Sequence, residues 1–424
     1  MRPDFKPMRQ FPKVRIIGGG LTGLLCAFEA HRLGARDIEL FEAWDQLGGT
    51  AWPRMAHGLE LRETHLKFGG PGDPVRELLA CNGVAFEEVE NRCGAVSPAP
   101  GGDLTHLSDV PGPALWARDL TPGEIAGESL ADRLRAYPDE IRIPLARYCQ
   151  WRLGAWLDEV HAGAARALGI HRVYPLGADT AELATLKRSD PTADALYGIP
   201  AAQWGHLASL TASLPRDGTR AFVVQAGQAL ARLGVRIHTG ALVAPDNVLN
   251  PGDGVTVWAA DPTALFKPLG LEAPTPSPRR GVSYIFQAHH AGHAPLELRN
   301  FTAEGAVAEI RLYESRGHAL LAAKCVAEVA DGDLRRELHR LTGGFFHGAL
   351  QLGETVSVRI EPRWDTPSVD AVRKLRALRA ALAKTHGAAV VAPAWEAPRL
   401  KERLADLSGK LACAMDVQAE AVAA

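Results

Sequence analysis

What the sequence lacks sets the first limits. No run of about 18 apolar residues occurs, so no integral membrane segment is expected. Six cysteines stand at 26, 81, 93, 149, 325 and 413, and no two form Cys-x-x-Cys. That excludes a zinc-type spacing and a disulfide framework, and reads as reduced, mostly buried thiols in a reducing compartment. Positive charge is not in excess: Lys and Arg number 47 against 49 Asp and Glu, a formal net charge of −2. A nucleic-acid binder needs a basic face, so no nucleic-acid partner is expected. The first 13 residues are basic but have no apolar core, so no secretory leader is expected and the expected location is cytoplasmic. There is no Gly-x-Ser-x-Gly and no phosphate-loop lysine. What is present is ordinary globular composition, 46% hydrophobic and 23% charged over 424 residues, more than a usual single domain needs.

The stretch from Val14 to Thr50 organises the rest. Val14-Arg15-Ile16-Ile17 is a short apolar strand, and Gly18-Gly19-Gly20-Leu21-Thr22-Gly23 follows at once with the spacing Gly-x-Gly-x-x-Gly. Residues 24–33 read as a helix burying Leu24, Leu25, Phe28 and Leu33, ended by Gly34. Residues 38–41 form a second strand with Glu42 at its carboxyl end. Gly18 permits the tight turn, Gly20 lets a pyrophosphate approach the backbone, and Gly23 lets the helix pack against the strand. The helix start offers N–H groups and a positive dipole end to phosphate. Glu42 suits a ribose diol and repels a 2′-phosphate, which disfavours NADP. The strand, helix and acid supply the context that a lone glycine motif lacks.

After Glu42 come Ala43, Trp44, Asp45, Gln46 and Leu47, then the pair Gly48-Gly49 and Thr50. This resembles the extended fingerprint of FAD-containing oxidoreductases. The group includes flavin amine oxidases, protoporphyrinogen oxidase, phytoene desaturases and UDP-galactopyranose mutase. The resemblance implies an α/β fold in which an FAD-binding Rossmann-like domain is joined to a discontinuous α+β substrate domain. It implies FAD as cofactor, held by Gly18, Gly20, Leu21, Thr22, Gly23, Glu42, Ala43, Gly48, Gly49 and Thr50. It places the backbone of Val243 against the adenine, at the end of a strand expected over 234–243. It points to His65 as the residue near the reacting ring, although Glu63 and Thr64 stand where such families carry small residues. At the last strand it expects a glycine with an acidic or basic neighbour. Here Ala392-Pro393-Ala394-Trp395-Glu396 has no glycine, and Glu396 is the acidic residue available.

The remaining chain divides by style. FAD-binding parts are expected at 14–83, 215–270 and 366–424, a substrate or cap region at 84–214, and a substrate domain at 279–365. Helices are expected over 73–81, 129–137, 143–168, 217–233, 263–269, 320–341, 368–384 and 399–414. Asp217 is expected to cap its helix. Tyr148, Trp151 and Trp156 either line a substrate cavity or pack in a helical core, and packing is the simpler reading. His289-His290-x-x-His293 lacks an acidic partner and reads as a loop, so no metal site is expected. Arg279-Arg280 reads either as an anion contact or as a solvated pair after the Pro-rich 271–278.

Three functions stay open on these grounds. The first is FAD-dependent oxidation of a small or medium organic substrate, an amine or an apolar ring compound, by hydride transfer to flavin. The second is an isomerase resembling UDP-galactopyranose mutase, working through reduced flavin. The third is a non-catalytic protein with a degenerate nucleotide site. Substrate identity and oligomeric state are not legible.

Overall fold

The structure is a computed structural model that describes residues 12–62, 66–99, 101–107, 112–204, 211–249, 254–275, 280–289, 297–345, 350–362, 367–397 and 399–423. The chain opens with β1 (Val14–Ile17), α1 (Leu21–Arg32) and β2 (Ile38–Phe41). The hairpin β3 (Arg54–Ala56)–β4 (Leu59–Leu61) follows, then β5 (Phe68–Gly69) and α2 (Pro74–Ala80). Next come β6 (Phe86–Glu90), β7 (Arg92–Val96), β8 (Leu104–Leu107) and β9 (Ala114–Trp116). A helical stretch holds α3 (Leu130–Leu134), α4 (Asp139–Leu153), α5 (Ala164–Ala167), β10 (Tyr174–Leu176), α6 (Thr180–Ser189) and α7 (Pro191–Leu196). Then come β11 (Thr211–Pro215), α8 (Gly218–Arg232), β12 (Arg236–His238), α9 (Pro245–Leu249), β13 (Val255–Trp258) and α10 (Thr263–Phe266). The run β14 (Arg280–His289), β15 (Glu297–Asn300), β16 (Val307–Ser315), β17 (His318–Cys325), α11 (Asp331–Thr342) and β18 (Gln351–Pro362) precedes the closing α12 (Val369–His386), β19 (Val390–Val391) and α13 (Leu400–Ala423).

Two sheets carry the architecture. The first is five-stranded and parallel, in the order β12-β2-β1-β13-β19. Its strands are short apolar runs because both faces are covered. One face packs Leu24 and Phe28 of α1, Leu79 of α2, Phe222 of α8 and Leu407 of α13. The other packs Val248 of α9, Phe266 of α10 and Leu378 of α12 against Ile17 and Trp258. From β1 the chain crosses first to β2 on one side and later to β13 on the other. A crevice at the carboxyl ends of such strands is where ligands bind in open α/β sheets.

The second sheet has seven strands, β18-β14-β17-β16-β15-β7-β8, antiparallel except where β15 meets β7. Leu334, Leu338 and Leu341 of α11 cover one face. The other face meets Leu59 and Leu61 of the β3–β4 hairpin and, through Glu309, Arg152 of α4. The fold is thus the mixed α/β, Rossmann-like arrangement that the glycine motif implies.

Four local expectations need correction. The expected helix over 320–341 starts as a strand: Leu320, Leu321, Ala322 and Ala323 are buried between β14 and β16, and helix begins only at Asp331. An apolar run this short does not reveal its period, and two antiparallel ladders decide it. The expected helix over 143–168 starts earlier and breaks at Gly154, left-handed at φ 57°, before the separate α5. The expected strand over 234–243 pairs only at Arg236–His238. Asp217 precedes α8 without a capping bond from its side chain.

Candidate functional site

The glycine turn is shaped by close approach. A Cβ on Gly23 would lie 1.8 Å from the Gly18 carbonyl oxygen, so α1 rests directly on the end of β1. Gly18 has φ +104°, where a side chain is strained, and a Cβ there would lie 2.7 Å from the Ala260 nitrogen. Gly20 differs. Its built Cβ finds only the Gly49 Cα, 3.9 Å away, so the turn leaves room beside Gly20. Gly20 caps α1 without a side-chain bond, and the first turn holds no acidic residue. A helix start carries N–H groups without intrahelical partners and a positive dipole end. The start of α1 therefore has the form of an anion site whose anion is not supplied by its own first turn.

The second glycine pair lies on the first. The Gly48 N–H donates to the Gly19 carbonyl at 2.9 Å, and Gly20 and Gly48 form a parallel bridge. Gly48 (φ +108°) is backed by Val223 of α8, whose Cγ2 lies 3.0 Å from a built Cβ. Thr50 is exposed in the short turn after Gly49.

Glu42 is buried at the end of β2. Its Oε2 accepts from the Gly19 N–H at 2.6 Å and its Oε1 from the Trp44 N–H at 2.9 Å. Each carboxylate oxygen has a second lone pair, so two acceptor sites remain for a diol. Ala43 is exposed beside it. The loop after β12 runs alongside: Ala241 donates to the Glu42 carbonyl at 2.9 Å and Gly240 to the Trp44 carbonyl at 2.7 Å. Val243, half-buried, follows on that loop. The structure thus brings Gly18, Gly20, Leu21, Thr22, Gly23, Glu42, Ala43, Gly48, Gly49 and Thr50 to one corner, with Val243 on the adjoining loop.

Glu396 is engaged elsewhere. It pairs with Arg379 of α12 and lines a groove of about 660 Å³ with Arg376, Lys410, Val390 and Val391, to which neither glycine segment contributes. The closing loop is held by α13: Arg403 donates to the Ala397 and Trp395 carbonyls and Lys410 to that of Ala392. His65, Arg279, His290 and His293 lie outside the described residues. Tyr148 is core, donating to the Leu168 carbonyl at 3.1 Å, and Trp151 donates to the Gly305 carbonyl at 3.1 Å. Trp156 is exposed.

Sequence reasoning missed two features. Glu60 and Arg62 of the β3–β4 hairpin form a half-buried ion pair at 2.8 Å, against α8. Buried charges also gather on the inner face of the large sheet, where Arg152 meets Glu309 at 3.1 Å and Arg299 meets Glu297 at 2.5 Å. Burial raises the Glu297 carboxyl, but Arg299, Arg311 and Lys67 outweigh it and hold the group well below the usual range. A charged residue in the middle of an apolar strand, as at Glu309, was the available signal.

The residues at the first corner fit a dinucleotide. The room beside Gly20, the uncapped start of α1 and the buried Glu42 meet the needs of a pyrophosphate and its ribose. Among the described residues, no group of three or more His, Cys, Asp or Glu is placed to hold a metal ion. No helix among them is long and apolar enough to cross a membrane.

Known proteins agree on the fold. Residues 16–79 match the family described as NAD(P)-binding Rossmann-like domain. The chain is similar along 97% of its length to reduced UDP-galactopyranose mutase, covering 94% of that chain at 12% identity and a TM-score of 0.59. It is similar along 98% to cyclohexylamine oxidase from Brevibacterium oxydans, covering 100% of that chain at 13% identity and a TM-score of 0.50. An oxidoreductase from Methanosarcina mazei matches over 96% of this chain and 99% of its own, at 14% identity and a TM-score of 0.52. These likenesses show the fold: the chain shares its architecture with UDP-galactopyranose mutase and cyclohexylamine oxidase. Among curated proteins, tryptophan 2-monooxygenase of Pantoea agglomerans is 57% identical over 44 residues, 10% of this chain and 8% of that protein. The Rhizobium rhizogenes enzyme of that name is 45% identical over 49 residues, 12% of this chain and 6% of that protein. The match therefore spans less than a tenth of each of these relatives.

Proposed function

We propose that the protein is a flavin-dependent oxidoreductase that binds FAD and takes a hydride from a small or medium organic substrate, an amine or an apolar ring compound. The observation that carries this reading is the corner where the uncapped start of α1, Gly20 and the docked pair Gly48-Gly49 meet Glu42. The fold shared with flavin amine oxidases supports it, as does the local identity to tryptophan 2-monooxygenases.

When bound, the flavin supplies the two-electron acceptor; the protein supplies binding, orientation and electrostatics. The Leu21 and Thr22 N–H groups hold the pyrophosphate at the positive end of α1. Gly20 leaves its path clear. Glu42 accepts from the ribose hydroxyls while its bonds to Gly19 and Trp44 keep it oriented. By the sequence resemblance Gly48, Gly49 and Thr50 would run beside the cofactor and Val243 would meet the adenine, and His65, outside the described residues, is the residue that the resemblance assigns to the reacting ring. Glu396, paired with Arg379, is the acidic residue that the resemblance places near the cofactor at the last strand.

A visible spectrum of the purified protein, followed by FAD titration, tests the cofactor. Anaerobic addition of candidate amines then tests the reaction: bleaching without added reductant is the expected result. Turnover only after prior reduction, with no net oxidation, would favour the isomerase reading. Protein that is colourless and takes up no FAD would sink both.

A further inference from the structure

We infer that Arg133 and His171, in the helical stretch, hold a small inorganic anion of halide size, at a site that does not rest on the oxidoreductase reading above. His171 is 7% exposed, and neither of its ring nitrogens has a hydrogen-bonding partner among the described residues. Arg133 reaches it from α3. Its Nη2 donates to the His171 carbonyl at 2.9 Å, while its Nε is buried without a partner. Buried polar atoms left unpaired are costly, so such atoms call for a water or an ion.

Charge decides between the two. The charges that bear on the His171 ring are those of Arg133, Arg172 and Arg299, all positive. The acids of the neighbouring elements are engaged elsewhere. Asp132 of α3 pairs with Arg135 at 2.5 Å, Asp194 of α7 with Lys187 at 3.5 Å, and Glu297 of β15 with Arg299 at 2.5 Å. Arg172 spends its Nη1 on the Tyr197 and Gly198 carbonyls, at 3.2 and 2.9 Å. Among the described residues neither Arg133 nor Arg172 forms an ion pair. A water would satisfy the nitrogens and leave the half-buried Arg133 without a counter-charge; an anion does both. It accepts from the Arg133 Nε–H and from the one N–H of the neutral imidazole. The nitrogens are enclosed, which favours a monatomic anion over a phosphate with its shell of oxygens. Bound there, the ion ties α3 to the segment between α5 and β10.

The test follows urea unfolding of the full-length protein at pH 7.5, well above the His171 pKa. Sodium chloride is compared with sodium gluconate at equal ionic strength, so that screening is the same in both. Each tenfold rise in chloride above its dissociation constant should raise the folded-to-unfolded ratio of the wild type about tenfold. Arg133→Gln and His171→Leu should lose this dependence on chloride. Arg135→Gln, at the exposed end of α3, should keep it. Wild-type crystals grown in bromide give the direct reading, which also decides the matter if a variant does not fold. Anomalous density is expected within hydrogen-bonding reach of Arg133 Nε and a His171 ring nitrogen. A water at that place, or a wild-type midpoint that responds to chloride no more than that of Arg133→Gln, would overturn the inference.

Discussion

The Glu60 carboxylate accepts a hydrogen bond from the Thr219 N–H at 3.2 Å, closing the start of a helix to which it does not belong. Arg220 N–H donates to the other oxygen at 3.3 Å, and Arg62 donates from its Nη2 at 2.8 Å. The Glu60 N–H in turn donates to Ser315 Oγ at 2.8 Å, and the Arg62 N–H to the Tyr313 hydroxyl at 3.0 Å. One hairpin residue therefore ties the large sheet to α8, and Val223 of α8 backs Gly48. The two long helices near the cofactor corner contrast: α8 begins on a protein carboxylate, α1 on none.

Replacing Glu60 by Ala should therefore destabilise the fold. It removes the cap of α8 and leaves Arg62 without its half-buried partner, at ~2 kcal/mol or more. Urea denaturation of the two proteins checks this. A midpoint shift indistinguishable from that of an exposed Glu→Ala control would remove Glu60 from the account.

The glycines of the turn should separate by role. Gly23→Ala places a methyl 1.8 Å from the Gly18 oxygen, so α1 must move off β1. The expected loss is ~3 kcal/mol, read in the same denaturation experiment. Gly20→Ala meets nothing closer than 3.9 Å and has an ordinary φ of −68°. It should fold normally and bind FAD at least about tenfold more weakly, the equivalent of one charge-assisted hydrogen bond. A Gly20→Ala protein that folds normally and binds FAD as tightly as wild type would show that the room beside Gly20 has no bearing on ligand binding.

How far this was legible in the sequence follows from the range of the interactions. The β1-α1-β2 unit is local, since its turn, cap and acid lie within some thirty residues, and spacing alone places them. The helix starts expected at 73 and 368 are local too: Asp73 accepts from the Val75 and Arg76 N–H groups, and Ser368 from that of Ala371. Strand β17 was not, because its ladders are with β14 and β16 and its Ala-rich run suits a helix when read alone. Asp217 looked like the cap of α8 but yields to Glu60, far away in sequence. Glu396 stands after the last strand, and one of its carboxylate oxygens meets Arg379, seventeen residues earlier, a partner that spacing did not show.

The buried pair of Arg152 and Glu309 should be asymmetric to mutation. Their side chains are 6% and 5% exposed, and they lie 3.1 Å apart. Glu309→Ala leaves guanidinium charge buried without this partner and should destabilise by ~3–5 kcal/mol. Changing Arg152 to Met and Glu309 to Leu together should recover part of that loss, because the Arg152 charge no longer needs desolvating, while Arg311 still loses its bond to Glu309. A double variant as unstable as the single would show that the pair, and not its desolvation, sustains the site.

His171 should make the fold sensitive to mild acid. It is buried, and among the described residues neither ring nitrogen has a hydrogen-bonding partner. Burial, with the nearby charges of Arg133, Arg172 and Arg299, pushes its pKa down to about 3. Below its ordinary value near 6.5 the unfolded chain takes up a proton that the folded protein refuses. Stability is therefore fully present above that value and is lost as pH falls from ~6.5 towards 3, amounting to ~2 kcal/mol by pH 5. Glu297 and Glu309 act in the same sense, but their pKa values are lowered from the carboxylate range, so their loss begins at lower pH. His171→Leu removes the titrating group without removing a described side-chain bond. Denaturation of both proteins at pH 7.5 and pH 5 should show the variant gaining ~2 kcal/mol on wild type across that interval. Parallel pH profiles would mean that the imidazole takes up its proton in the folded state as readily as in water.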